Sequence, residues 1–131
     1  MKSPVVFVVD KNLLHRNLIK YHLDINKFAN VHAFQTSDEC LYRVRKNMIP
    51  DFLITDYDPV EHIGFDFIEQ IKEVSPSIQI IVFSSSDNPI LAMKLLDAGV
   101  SDFIVKTGKL DIGIKELIKN VKYLIKEKTL Y

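Results

Sequence analysis

An α/β fold, with helices on both faces of a doubly wound parallel sheet, is predicted by two features of the sequence. Four short and almost unbroken apolar runs, VVFVV, FLIT, IIVF and FIV, end in Asp10, Asp56, Ser84 and Lys106 respectively. Runs of this kind read as strands buried on both faces, the pattern of a parallel sheet covered by helices. They also alternate with segments of helical period, which implies right-handed crossovers. In such sheets ligands bind outside the carboxyl ends of the strands, so the four polar residues are expected to share one rim.

The elements follow in order. Val5–Val9 is the first strand, with a helix from about Asn12 and a weaker strand over residues 31–34. Thr36 and Glu39 have the spacing of a capping box and start the second helix at Ser37. Phe52–Thr55 forms the third strand, and a helix from Phe65 runs until Pro76 stops it. Residues 78–83 give the fourth strand, and Asn88 with Pro89 reads as an N-cap and N1 pair. Gly99 after Ala98 is the expected C′ residue of that helix. Residues 103–105 give the fifth strand. In the closing helix, from about Leu110, Ile114, Leu117, Ile118, Val121, Leu124 and Ile125 keep the i, i+3, i+4, i+7 rule.

At 131 residues the chain reads as one domain over 1–131, with no repeat, linker or effector domain. A domain of this size buries roughly two thirds of its unfolded surface without staples. Acidic and basic residues balance at 17 each, which argues against nucleic-acid binding by this domain or attraction to an anionic membrane. No apolar run reaches the ~18 to 20 residues of a bilayer span. Cys40 is the single cysteine, so no internal disulfide forms, and no signal peptide opens the chain. A soluble, cytoplasmic protein is expected.

Asp56 closes the most buried-looking strand and precedes a loop with Asp58, Pro59 and Gly64. A carboxylate there can accept a phosphoryl group as a nucleophile, forming an acyl phosphate. Transfer requires the charge on the phosphoryl oxygens to be balanced, and Lys106 can supply a fixed positive charge. Ser84 can donate a hydrogen bond to a phosphoryl oxygen. His15, His22, His32 and His62 have no metal-ligand spacing and read as surface or boundary residues. Cys40 reads as a small apolar packing residue.

With VVDKN after the first strand, LITDYDPVEHIGFDF around the third, IIVFSS at the fourth and AGVSDFIVK at the fifth, the chain resembles the receiver domains of two-component response regulators. The resemblance covers nearly the whole length. It implies a flavodoxin-like (βα)5 fold with strand order 2-1-3-4-5. It also implies that Asp56 is the phosphoacceptor, that Asp10, Asp56 and the backbone carbonyl of Asp58 ligate Mg2+, and that Ser84 and Lys106 hold the phosphoryl group. Ser84 and Phe103 would form the switch. The implied donor is a histidine kinase or phosphotransfer protein. A downstream partner, or a second copy, would dock through helix 4, strand 5 and helix 5.

The sequence departs from the family pattern at three places. Lys11 stands where a second acid commonly contacts the metal, and loss of such a contact is expected to weaken Mg2+ at least as much as loss of a supporting residue, about 10 to 100-fold. Lys11 is expected either to pair with Asp10 or Asp56 in the metal's place or to extend into solvent. Thr107 replaces the usual proline, so a trans or more mobile loop is expected after Lys106. Pro59 comes one position early, so a locally rebuilt loop is expected around Asp58.

Two enzyme-like or cofactor-binding alternatives are weaker. Asp56, Tyr57 and Asp58 have the form of the nucleophile and acid pair of haloacid dehalogenase-like phosphatases, but a βαβα unit precedes them and no cap domain follows. A flavodoxin reading lacks the hydroxyl-rich phosphate loop. The stronger rival is a pseudo-receiver, a phosphorylation-independent interaction module. It is motivated by Lys11 and by the fourth helix, ILAMKLLDA, whose apolar residues cover nearly the full helical circle and leave some exposed. The lysines Lys119, Lys122, Lys126 and Lys128 read as a solvated face.

Overall fold

A computed structural model describes residues 3–57, 65–106 and 108–129. The expectations placed on Asp58, Pro59, His62, Gly64 and Thr107 lie outside the described residues. Ten elements alternate: β1 (Val5–Val9), α1 (Leu13–Ile25), β2 (Asn30–Phe34), α2 (Ser37–Arg45), β3 (Phe52–Thr55), α3 (Phe65–Val74), β4 (Gln79–Ser84), α4 (Pro89–Asp97), β5 (Asp102–Val105) and α5 (Leu110–Thr129). The strands form one parallel sheet in the order β2-β1-β3-β4-β5, a flavodoxin-like (βα)5 topology.

Strand alternation divides the core in two. Val6, Val8, Phe52, Ile54, Ile81 and Phe83 point to the face covered by α1 and α5, where Ile19, Leu23, Ile114, Leu117, Ile118 and Val121 meet them. Phe7, Val9, Leu53, Ile80 and Val82 point to the opposite face, covered by α2, α3 and α4. β1, β3 and β4 are buried on both faces, which is why their sequences are continuous rather than alternating.

Three helices begin on a capping side chain, two of them, Thr36 and Asn88, nominated by the sequence. Asn12 accepts from the His15 N–H at 3.1 Å, Thr36 from the Glu39 N–H at 3.2 Å, and Asn88 from the Ile90 N–H at 2.9 Å. Asn12 is thus a cap outside α1, not its first residue. Gly99 has φ +103° and closes α4, with its N–H on the Leu96 carbonyl and the Val100 N–H on Leu95, both at 3.1 Å. β2 starts one residue before the expected position because Asn30 still pairs with Val5. β4 is shifted one residue later, from Gln79 to Ser84, because Gln79 pairs with Phe52 and Ser84 with Val105.

Helix α4 is anchored thinly. Leu95 is its only buried residue, while Ile90 and Met93 are 64% and 65% exposed. Leu95→Ala is expected to cost about 2 to 5 kcal/mol in urea unfolding, whereas Met93→Ala stays within roughly 0.5 kcal/mol. Equal costs would contradict this packing.

Candidate functional site at the carboxyl ends of the strands

The chain leaves β1 and β3 toward opposite sides of the sheet, and the crevice between these neighbouring strands opens at their carboxyl ends. A cleft of about 200 Å³ lies there, lined by Asp10, Lys11, Asn12, His15, Asp56, Tyr57, Ser84, Ser85 and Lys106. All four strand-end residues singled out from the sequence are therefore brought together.

Asp10 is 2% exposed, and each of its oxygens is engaged. Oδ1 accepts the Asn12 N–H at 2.9 Å, Oδ2 accepts Lys106 Nζ at 2.7 Å, and the backbone carbonyl accepts Arg16 Nη1 at 2.7 Å. The ammonium that neutralises this carboxylate is thus that of Lys106. Lys11 lines the same cleft, and its charge pulls the Asp56 pKa down. Its backbone N–H donates to Asp56 Oδ2 at 3.3 Å, and the residue is exposed.

Asp56 continues the β3 ladder, its N–H donating to the Val9 carbonyl at 3.0 Å, and its carboxyl group is half-buried. Burial first, then the neighbouring Asp10 carboxylate, raise its pKa to about 6; the Lys11 N–H and the Lys106 and Lys11 charges oppose the rise without cancelling it. Its negative charge is under-compensated, and a cation or an electrophile that removes the charge is favoured there.

Ser84 is buried as the last residue of β4, rather than lying just beyond the strand. Its hydroxyl donates to the Tyr57 carbonyl at 3.2 Å and accepts the Ser86 N–H at 3.1 Å, which ties the β3 exit to the β4 exit. Lys106 follows β5, its N–H donating to the Ser84 carbonyl at 2.6 Å. Its Nζ lies 5.4 Å from the centre of the Phe83 ring. Gly113 makes room for that ring, since a Cβ there would stand 3.3 Å from Phe83. Phe103 pairs with Val82 and packs half-buried on the α4 side of the sheet.

Sequence reasoning missed His15. It lies on the first turn of α1, and its Nδ1 accepts from Lys106 Nζ at 3.0 Å, with Asp10 Oδ2 at 4.0 Å. Burial and the Lys106 charge hold its pKa below the ordinary histidine value against the pull of Asp10, so at neutral pH the ring is neutral and can accept. The signal was its place three residues after the Asn12 cap, which turns it toward the rim. His22 instead faces a separate cleft between α1 and α5, and His32 contacts Asn30 and Phe7.

Among the described residues no group of three or more His, Cys, Asp or Glu side chains is arranged to hold a metal ion. Magnesium asks for less: one or two carboxylates, completed by waters and phosphate oxygens. Asp10 and Asp56 fit that need, provided the ion shares Asp10 with Lys106.

The raised Asp56 pKa has a sign that can be tested. Between about pH 4 and pH 6 the folded protein keeps a proton that the unfolded chain has lost, so this group's contribution to stability falls as pH rises through that window and stays low above it. Asp56→Asn should therefore exceed the parent in stability at pH 7.5 by roughly 1 to 2 kcal/mol, after a discount for partial solvent access, and should match it below pH 4. Urea unfolding of both proteins across that range measures the difference. No difference at pH 7.5 would contradict the electrostatics.

Comparison with known proteins agrees with this geometry. Residues 6–122 match the model of the response regulator receiver domain family. The two-component response regulator ORR12 of Oryza sativa subsp. japonica is 30% identical over 113 residues, which span 84% of this chain and 92% of that protein. The receiver domain of the Francisella response regulator 1452 superposes with a TM-score of 0.81 at 22% identity, covering 95% of this chain and 98% of the other. The RcsB response regulator of Salmonella typhimurium gives 0.81 at 25% identity, over 97% of this chain and 62% of that one. Receiver domains are phosphoacceptor switches, generally not enzymes, that generally bind Mg2+ in an acidic pocket and work with histidine kinases or phosphotransfer proteins and with effector domains. No helix of the described residues is long and apolar enough to cross a membrane. A match to the family model over most of the chain, joined to strand order 2-1-3-4-5 and a rim of Asp10, Asp56, Ser84 and Lys106, makes this chain a member of the response regulator receiver domain family.

Proposed function

We propose that Asp56 accepts a phosphoryl group from a phosphohistidine on a histidine kinase or phosphotransfer protein in the cytoplasm. The observation that carries this reading is the under-compensated Asp56 carboxylate in a cleft that also holds Lys106 and Ser84. A carboxylate oxygen attacks phosphorus, the P–N bond breaks, and its electron pair leaves on the donor imidazole, which takes up a proton. The product is an acyl phosphate whose oxygens receive hydrogen bonds from Lys106 and the Ser84 hydroxyl. Asp10 and Asp56, with the Asp58 carbonyl, would hold Mg2+, which when bound neutralises phosphoryl charge. Because Lys106 already occupies Asp10, and Lys11 replaces an acid, this ion binds more weakly than in a receiver with two adjacent acids.

The switch follows from the same contacts. When Ser84 turns to a phosphoryl oxygen it gives up the Tyr57 carbonyl, and Phe103, on the α4 side of the sheet, moves inward. The change is passed to the surface of α4, β5 and α5, where a downstream partner or a second copy docks. The phosphorylation-independent reading is favoured by one observation. Ile90, Met93 and Leu96 of α4 are 64%, 65% and 46% exposed, an apolar surface of the kind that receives a partner.

Intact mass after incubation with acetyl phosphate separates the two readings. A labile phosphoryl adduct that forms faster with magnesium, and is absent in Asp56→Asn, is expected. Lys106→Met should slow its formation roughly a hundredfold. An adduct that survives Asp56→Asn would refute the phosphoacceptor assignment. No adduct at saturating magnesium would favour the docking module.

A further inference from the structure

Lys106 must place its ammonium where phosphoryl oxygens arrive, yet a lysine stem is long and has many rotamers. Here the freedom is removed from three sides. Asp10 Oδ2 takes one N–H at 2.7 Å, His15 Nδ1 takes another at 3.0 Å, and the Phe83 ring lies 5.4 Å beneath Nζ. The lysine side chain is 10% exposed, so these contacts are little diluted by water. An ammonium has three protons, and with two engaged the third is left for an acceptor in the cleft shared with Asp56.

We propose that His15 is a positioning residue for phosphoryl transfer: as a hydrogen-bond acceptor from the first turn of α1, it fixes Lys106 Nζ beside Asp10 so that one N–H stays aimed at the incoming phosphoryl group. The inference rests on the phosphoacceptor reading of Asp56. His15 touches neither donor nor phosphoryl group; it acts through Lys106. Asp10 alone cannot do this, because a single ion pair leaves the ammonium free to rotate and slide about one carboxylate. A second acceptor from another element, 91 residues away in sequence, sets the direction. The alternative is that His15 only fills the edge between α1 and the strand ends, in which case an apolar side chain of similar size would serve as well.

Two variants separate these roles. His15→Leu keeps bulk and removes the acceptor; His15→Gln keeps an acceptor. In protein labelled with ¹⁵N-lysine, the Lys106 Nζ–H resonance, identified by its loss in Lys106→Met, should be visible in the parent and in His15→Gln and broadened away by solvent exchange in His15→Leu. Phosphorylation by acetyl phosphate should fall roughly tenfold in His15→Leu and stay within about threefold of the parent in His15→Gln. A sharp Lys106 signal and a parental rate in His15→Leu would overturn the proposal, as would equal loss in both variants. If the parent itself takes up no phosphoryl group from acetyl phosphate, the docking reading of the domain is favoured, while the Nζ signal still decides whether His15 holds Lys106.

Discussion

The ion pair between Asp10 and Lys106 is the constraint on which the rest of the site depends. A carboxylate that is 2% exposed stays charged only with a partner and hydrogen bonds, and Asp10 has both. Its partner arrives from the far side of the sheet. Asp10 follows β1 and Lys106 follows β5, with β3 and β4 between them, so the lysine side chain must pass over the ends of both intervening strands. The residues at those ends are Asp56 and Ser84. Compensation of one buried acid therefore brings a cation over the second acid and the hydroxyl.

Burial and the same pair together leave Asp56 the less compensated of the two carboxylates. Lys106 lies on Asp10, so Asp56 feels the repulsion of Asp10 and only part of the lysine's attraction, and burial adds to the deficit. Asp10 accepts on both carboxylate oxygens, whereas among the described residues Asp56 accepts one long bond, from the Lys11 N–H. Two acids at the ends of neighbouring strands thus sit in different electrostatic surroundings because their partners differ.

Much of this was legible in the sequence, for physical reasons. Strands buried on both faces show as continuous apolar runs, and their carboxyl ends mark the rim, so Asp10, Asp56, Ser84 and Lys106 could be found without a structure. The surplus of apolar residues in α4 likewise announced exposure, since one helix face cannot hold Ile90, Leu91, Met93, Leu95 and Leu96 together. What stayed hidden depends on side-chain direction. The sequence left Lys11 either paired with an acid or extended into solvent, and could not show that its backbone N–H serves Asp56 while Lys106 neutralises Asp10. His15 was judged by its spacing from other histidines, whereas its place in the site comes from a cap three residues earlier and a lysine 91 residues later. Neither relation leaves a periodic trace.

A crystal structure with beryllofluoride, a tetrahedral mimic of the phosphoryl group, and magnesium tests the account most directly. The account predicts beryllium bonded to an Asp56 carboxylate oxygen, one fluoride accepting from Lys106 Nζ, another accepting from the Ser84 hydroxyl after it leaves the Tyr57 carbonyl, and magnesium against Asp10. A bare Asp56 at saturating beryllofluoride, with Ser84 still on Tyr57, would contradict it.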